Sequence, residues 1–375
     1  MARKKLKTGG NDTNTAEASH WIFHDDITSE ILKRLPAREL MQVKCVCKDW
    51  MRLIRDPNFA ESHMSHARAQ PEASYILFLS NTGAFAADHT LSFKKSRVPA
   101  NPGLFRTHMP CSNTAYGLIC FCSRASRPGS RNSSNIVYNL STGEKRDLPP
   151  PTIPAAFKTY ALGFDPTIKR YKVLHFGQKR RCQILTLERN SSWRTLIDDD
   201  VPRFQYERGR FHYESGYGRY PKLDSIHVDG KIYFIETGSY QNDPISIRFF
   251  DLTSEKFGTI ESPPLFYPYY SIPRLAEAGT NLGFVSWQMV SGTFPNFECS
   301  FWVLDQNWAL KGAFSMRFDM IWGSIGTNKL VLGREGLFLF DIEASTRKKL
   351  KKERDEYTHV LCNHIENIFP LSTTK

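Results

Sequence analysis

The sequence predicts an α+β chain of more than one domain: a unit of three short helices at residues 20–66, then an all-β, propeller-like domain of about six blades at 74–370. Three observations predict it. Apolar residues recur at helical spacing between Ile27 and Ile54. Beyond about residue 74 the texture changes to short apolar strands punctuated by turn residues. Within that stretch one strand–turn–strand pattern recurs, its starts roughly 35 to 65 residues apart, which brackets the period of propeller blades.

The helices come first. Asp25 and Asp26 are candidate N-caps that put negative charge at a first turn, Ile27, Ile31, Leu32 and Leu35 make one apolar stripe, and Pro36 stops the helix. A second helix starts at that proline and carries Leu40, Val43, Val46 and Cys47 at helical spacing; a third carries Trp50, Leu53 and Ile54. A unit of roughly 40 residues is at or below the size at which one hydrophobic core suffices. Its stripes therefore need a partner, either the rest of the chain or another protein.

The run Glu30-Ile-Leu-Lys-Arg-Leu-Pro36, with Leu40, Val43-Lys-Cys-Val-Cys-Lys48, Trp50, Leu53-Ile54 and Asp56-Pro57, resembles an F-box in the form common in plant proteins. The resemblance implies docking on a Skp-family adaptor, which links F-boxes to a cullin and a RING protein in an SCF ubiquitin ligase. It also implies that Phe23, Ile27, Ile31, Leu32, Leu35, Pro36, Leu40, Val43, Val46, Cys47 and Trp50 form the adaptor face or the core behind it, without separating the two. Family members usually open with Leu-Pro, where this chain has Phe23-His24, and Thr28 occupies a position that is more often aliphatic. The bland alternative is a helical bundle that merely caps the larger domain.

In the β part, five segments share an apolar strand, an Asp or Asn turn and a short second strand: 136–149, 182–196, 247–257, 301–308 and 337–350. Strands that precede them are Tyr116–Phe121, Tyr171–Phe176, Asp229–Ile235 and Asn281–Trp287, with Asp229-Gly230 a turn signal because glycine tolerates positive φ. Tyr75–Leu79 and a late strand around Val360 bring the count to about six blades, the last strand completing the first blade and leaving no long unpaired edge. Asp165, Asp251 and Asp341 are expected to accept hydrogen bonds from turn amides, and Trp193, Trp302 and Trp308 to pack between blades. In order along the chain, Gly117-Leu-Ile-Cys120, Tyr138-Asn139, Leu162-Gly-Phe-Asp165, Tyr171-Lys-Val173, Ser192-Trp-Arg194, Val228-Asp-Gly230 and Phe250-Asp-Leu252 resemble the plant F-box-associated domain, a kelch-like propeller, over most of residues 116–316.

Composition narrows the function classes. The 375 residues are 41% hydrophobic and 13% aromatic, ample for a core. No apolar run approaches a membrane span, and Met1–Lys7 lacks the apolar stretch of a signal peptide, so the expectation is a nuclear or cytoplasmic protein without a membrane partner. Residues 1–19 read as a disordered basic tail. Eight cysteines include no Cys-x-x-Cys, and no histidine cluster, nucleophile elbow or phosphate-cradling glycine loop is present; no catalytic residue, metal or cofactor is expected. Net charge is +12, but the basic residues are dispersed over Lys94-Lys95, Arg124–Arg131, Lys179–Arg181 and Arg347–Lys352, a pattern of solvated turns more than of a nucleic-acid groove.

Two segments stand out as recognition surfaces. Residues 198–222 are rich in Arg, Tyr and Gly, with Arg203, Arg208, Arg210, Tyr213, Tyr217 and Arg219; residues 263–273 place Phe266, Tyr267 and Tyr269 on a proline-stiffened frame. Aromatic and arginine side chains dominate binding hot spots because they bury much area and still hydrogen-bond. Together with these segments, the F-box resemblance implies a non-catalytic SCF substrate receptor that holds a target protein with its β domain. The rival readings are a propeller enzyme or sugar-binding protein with a helical cap, and an adaptor-bound scaffold that never joins a cullin.

Overall fold

The structure, a computed structural model, describes residues 25–70, 74–79, 84–88, 93–94, 102–123, 134–153, 160–177, 180–197, 201–202, 225–236, 246–264, 271–289, 296–317, 320–333, 337–349 and 359–371. The N-terminal unit has four helices where three were expected: α1 (Asp25–Leu32), α2 (Ala37–Val43), α3 (Lys48–Arg55) and α4 (Pro57–Arg68). Asp56-Pro57 is a start signal. The Asp56 carboxylate accepts the Asn58 N–H at 2.8 Å, and Pro57 occupies the first turn, where a missing N–H costs nothing. Asp25 and Asp26 lie inside the first turn of α1 and not at its cap.

Among the described residues, 24 strands form six four-stranded antiparallel sheets. The first blade holds β1 (Tyr75–Leu79), β2 (Ala84–Ala87) and β3 (Phe93–Lys94), and a short helix α5 (Pro102–Thr107) precedes the second. Blade two holds β4 (His108–Ala115), β5 (Leu118–Ser123), β6 (Asn135–Asn139) and β7 (Lys145–Leu148). Blade three holds β8 (Tyr160–Asp165), β9 (Arg170–Phe176), β10 (Cys182–Thr186) and β11 (Arg194–Leu196). Blade four is β12 (Ser225–Val228), β13 (Lys231–Glu236), β14 (Ser246–Asp251) and β15 (Lys256–Glu261). Blade five is β16 (Ser271–Ala278), β17 (Asn281–Met289), β18 (Asn296–Leu304) and β19 (Trp308–Arg317). Blade six is β20 (Met320–Ile325), β21 (Lys329–Gly333), β22 (Leu337–Asp341) and β23 (Thr346–Lys349); β24 (His359–His364) then pairs with β1, Leu361 opposite Leu77 and Val360 opposite Phe78. The expected closure of the first blade by the last strand is therefore present. First strands touch in sequence around the axis, β24 to β4, β8, β12, β16, β20 and back to β24, so the ring is closed.

The axis explains why β4, β16 and β20 were not legible as strands. Inner strands of neighbouring blades converge, leaving room for small and polar side chains such as those of His108–Ala115, which break apolar alternation. Gly163 on β8 shows the crowding: a Cβ there would stand 2.5 Å from Leu252 Cδ1 of the next blade. The basic run Arg347–Lys349, read as a turn, lies within the exposed strand β23, with the Arg347 guanidinium 3.6 Å from the Phe338 ring centroid.

The acidic turns behave as expected. Asp165 accepts the Thr167 N–H at 2.9 Å, Asp251 the Ser254 N–H at 2.8 Å and Asp341 the Ala344 N–H at 3.0 Å. Trp193 donates Nε1–H to Pro149 O, and Trp308 to Glu261 O, each at 2.7 Å, tying blades two to three and four to five. Trp302 packs against a cluster shared by blades four and five.

Blades three and four are also locked by a buried cation. Lys172 Nζ lies 2.8 Å from Asp165 Oδ2 and 2.9 Å from Glu255 Oε1, and donates to Leu252 O at 2.5 Å; the Lys172 and Asp165 side chains are 4% and 2% exposed. Lys172→Met removes the cation and leaves the Asp165 carboxylate buried without a counter-charge. The expected loss is ~3 kcal/mol of unfolding free energy, read by chemical denaturation. A loss within experimental error of zero would show that the lock contributes nothing.

Candidate functional site

The eleven F-box residues divide into three groups. Ile27, Ile31 and Val46 are 50%, 54% and 67% exposed, and Cys47 is exposed as well. Ile27 and Ile31 stand four residues apart and so share one face of α1. Leu35, Pro36, Val43 and Trp50 are half-buried. Leu32 and Leu40 are 2% and 0% exposed and belong to the core, one of the two roles the sequence left open for them. Phe23 lies outside the described residues.

The back of the helical unit is fused to the propeller. Leu32, Leu40, Ile54, Phe59, Ala60 and Met64 share one apolar core with Tyr116, Phe164 and Tyr171 of the ring and with Ile368, Phe369 and Leu371 of the segment after β24. That segment is a strap. Glu366 Oε2 accepts the Ala37 N–H at 2.7 Å, placing a carboxylate at the start of α2, where Pro36 supplies no side-chain cap. Asn367 is its hub: its N–H bonds to Ser141 Oγ at 2.9 Å, its Nδ2 donates to Tyr116 O at 2.5 Å and to Tyr171 Oη, and its Oδ1 accepts the Phe369 N–H at 2.6 Å. Gly117, at φ +81°, faces this strap so closely that a Cβ would come within 2.8 Å of Ile365 O. Helix α4 adds an ion pair from Glu61 to Lys169 at 2.7 Å and the Arg68 guanidinium 4.4 Å over the Tyr116 ring. Sequence reasoning missed this junction; its one signal was the apolar set Ile365, Ile368, Phe369 and Leu371 directly after the last strand.

Buried histidines line the same region. Burial pushes His364 down from 6.5 to about 4 and His227 to about 3, so both are neutral at pH 7. Below pH 6.5 the unfolded chain takes up protons that the folded chain refuses, and stability falls from pH 6.5 toward 4. Glu277 opposes this: burial raises its carboxyl from 4.5 to about 7 against the pull of Arg68, so the folded chain is the better proton acceptor between those values. Two histidines outweigh one glutamate. The melting temperature is expected to drop between pH 6.5 and 5, and less so in His364→Gln; an equal drop in that variant would remove His364 as a cause.

In an antiparallel meander the hairpins from first to second and from third to fourth strand lie at one end of the blade, and the remaining connections at the other. Tyr116-Gly117 and Lys169 lie in first-to-second hairpins, and both touch α4. The helices therefore cover that end of the ring. Arg203, Arg208, Arg210, Tyr213, Tyr217 and Arg219 belong to the connection from β11 to β12, and Phe266, Tyr267 and Tyr269 to the connection from β15 to β16. These nine residues lie outside the described residues. The strand ends that flank them, Leu196, Ser225, Glu261 and Ser271, all belong to the end of the ring away from the helices. Ser271, Ile272 and Pro273, read as part of a loop, begin β16 instead, with Pro273 paired to Ser286. Among the described residues no group of three or more His, Cys, Asp or Glu could hold a metal, and no helix is long and apolar enough to cross a membrane.

Comparison with known proteins agrees with this architecture. The F-box domain matches residues 23–62, and the F-box associated beta propeller domain matches residues 76–321. The Arabidopsis thaliana F-box protein At1g46984 is 24% identical over 380 residues, covering 92% of this chain and 93% of that protein. F-box protein At1g53790 of the same plant is 28% identical over 255 residues, covering 63% and 52%. Among solved structures, SapL1 lectin in complex with alpha methyl fucoside overlays with a TM-score of 0.41 at 11% identity, over 74% of this chain and 91% of that one, too weak a likeness to carry an activity. With four helices on a closed ring of six blades and both domain matches in register with them, the chain belongs to the F-box proteins that carry an F-box-associated β-propeller.

Proposed function

We propose that this chain is the substrate-recognition subunit of an SCF ubiquitin ligase. The F-box docks a Skp-family adaptor, and through it a cullin and a RING protein, while the propeller holds a target protein. The observation that carries the reading is the exposure of Ile27 and Ile31 on α1 and of Val46 in the turn between α2 and α3, in a helical unit whose opposite side is anchored in the ring. Apolar side chains left in water on an otherwise well-packed unit favour a protein partner. The mechanism is proximity: holding target and charged enzyme on one assembly raises their effective concentration, and no residue of this chain needs to do chemistry. Such an assembly works in the nucleus or the cytoplasm.

Target capture is assigned to the segments between β11 and β12 and between β15 and β16, above all Arg203–Tyr220, whose guanidinium and aromatic groups suit acidic or phosphorylated partners. The test is affinity purification of the full chain with the proteasome inhibited, probing for adaptor, cullin and co-purifying proteins. Replacing Arg208, Arg210, Tyr213 and Tyr217 by alanine is expected to weaken target capture by more than about tenfold while leaving the adaptor bound. Native levels of all partners in a folded quadruple variant would move the target site elsewhere. Recovery of adaptor without cullin would support the scaffold reading instead.

A further inference from the structure

Of the seven cysteines whose side chains are described, Cys111, Cys120, Cys122, Cys182 and Cys299 are buried, and Cys45 and Cys47 are exposed. Burial disarms the first group: it pushes the Cys120 and Cys299 thiols up to about 12, and a thiol that stays protonated does not attack. The exposed two stand one residue apart in the turn between α2 and α3, on either side of Val46. Cys47 Sγ accepts the Trp50 N–H at 3.4 Å, which holds the sulfur at the first turn of α3, and Lys44 and Lys48 flank the pair. Two accessible sulfurs in a turn that also carries Lys44 and Lys48 in sequence, next to an apolar side chain assigned to a docking face, make a place where an anionic disulfide can react and where its product would obstruct.

We propose that Cys45 and Cys47 are a thiol-modification site that takes up half of a glutathione-type disulfide and thereby blocks adaptor docking until it is reduced. The blocking role rests on the adaptor reading above. A cysteine thiolate attacks one sulfur of the soluble disulfide; the new S–S bond forms as the old one breaks, and the other half leaves as a thiolate and takes a proton from water. The cysteine sulfur is oxidised and the departing half reduced. The neighbouring cysteine can then attack the mixed disulfide, expelling the second thiol and closing a Cys45–Cys47 disulfide. A reducing thiol reverses both steps. Either product disturbs the turn that carries Val46, and the mixed disulfide adds charge to a surface that docking must dehydrate.

The test treats the folded full-length chain with glutathione disulfide, maps the modified cysteines by peptide mass spectrometry and measures affinity for a purified Skp-family adaptor before and after. Modification is expected on Cys45 and Cys47 while the five buried cysteines remain free. Adaptor affinity is expected to fall about tenfold or more and to return on adding dithiothreitol. In a C45S/C47S variant the affinity, whatever its reduced value, should be the same before and after treatment. Modification spread evenly over the buried cysteines overturns the site, and a modified chain that binds adaptor as tightly as the reduced one overturns the block. A reduced chain with no adaptor affinity overturns the docking reading and the block with it, while the modification map still decides the thiol site.

Discussion

Ile31→Asp is expected to abolish capture of a Skp-family adaptor while leaving the chain folded. Ile31 is 54% exposed, so a carboxylate there is solvated in the free protein and costs little. In a docked complex the same carboxylate would have to shed its water, and burying an unpaired charge costs several kcal/mol, ~3 or more, or a factor of more than 100 in affinity. Leu40→Asp is not an equivalent experiment. Leu40 is fully buried in the core that joins helices to ring, and an unpaired charge there is expected to unfold the unit before any partner is met. The measurement is adaptor titration, with thermal melting of each variant alongside. Unchanged affinity in a folded Ile31→Asp chain would remove α1 from the docking face.

Deleting residues 1–70 is expected to cost the propeller its cooperative melting, because helices and ring share one core. A β domain with its own repeating core would be expected to survive the loss, but the core does not stop at the ring. Phe59 and Met64 are 4% and 3% exposed, and full burial of a large apolar side chain contributes ~1.5–3 kcal/mol. Their removal also opens the strap: Phe369 and Tyr171 face water, and Ala37 no longer bonds to Glu366. Against a total stability of ~5–15 kcal/mol, losses of that order unfold a domain. Asn367→Ala is a milder version, since it leaves the backbone carbonyl of Tyr116 and the hydroxyl of Tyr171 without their shared donor. A truncated chain that melts in one step at the temperature of the full chain would show that the helices are an appended module after all.

Outer and middle strands were legible because they follow local rules. Ile136–Asn139, Ile247–Asp251 and Leu337–Asp341 are apolar runs closed by an Asp or Asn turn, and the amide bonds of that turn involve residues two or three positions away. The same holds for the helix signals at Pro36 and at Asp56-Pro57, each of which acts within one turn. Inner strands β4, β16 and β20 obey a different constraint, the shared space at the axis, and no local pattern records it. The helical unit shows the limit most clearly. The sequence by itself determined that α1 to α3 carry more apolar surface than so small a unit can bury. Only the tertiary structure decided that Leu32, Leu40, Ile54 and Met64 bury against the segment after β24 and the ring, leaving Ile27, Ile31 and Val46 in water. Helical spacing says which side chains share a face, whereas burial depends on the second surface, and here that surface comes from residues some three hundred positions along the chain, brought into place by closure of the ring.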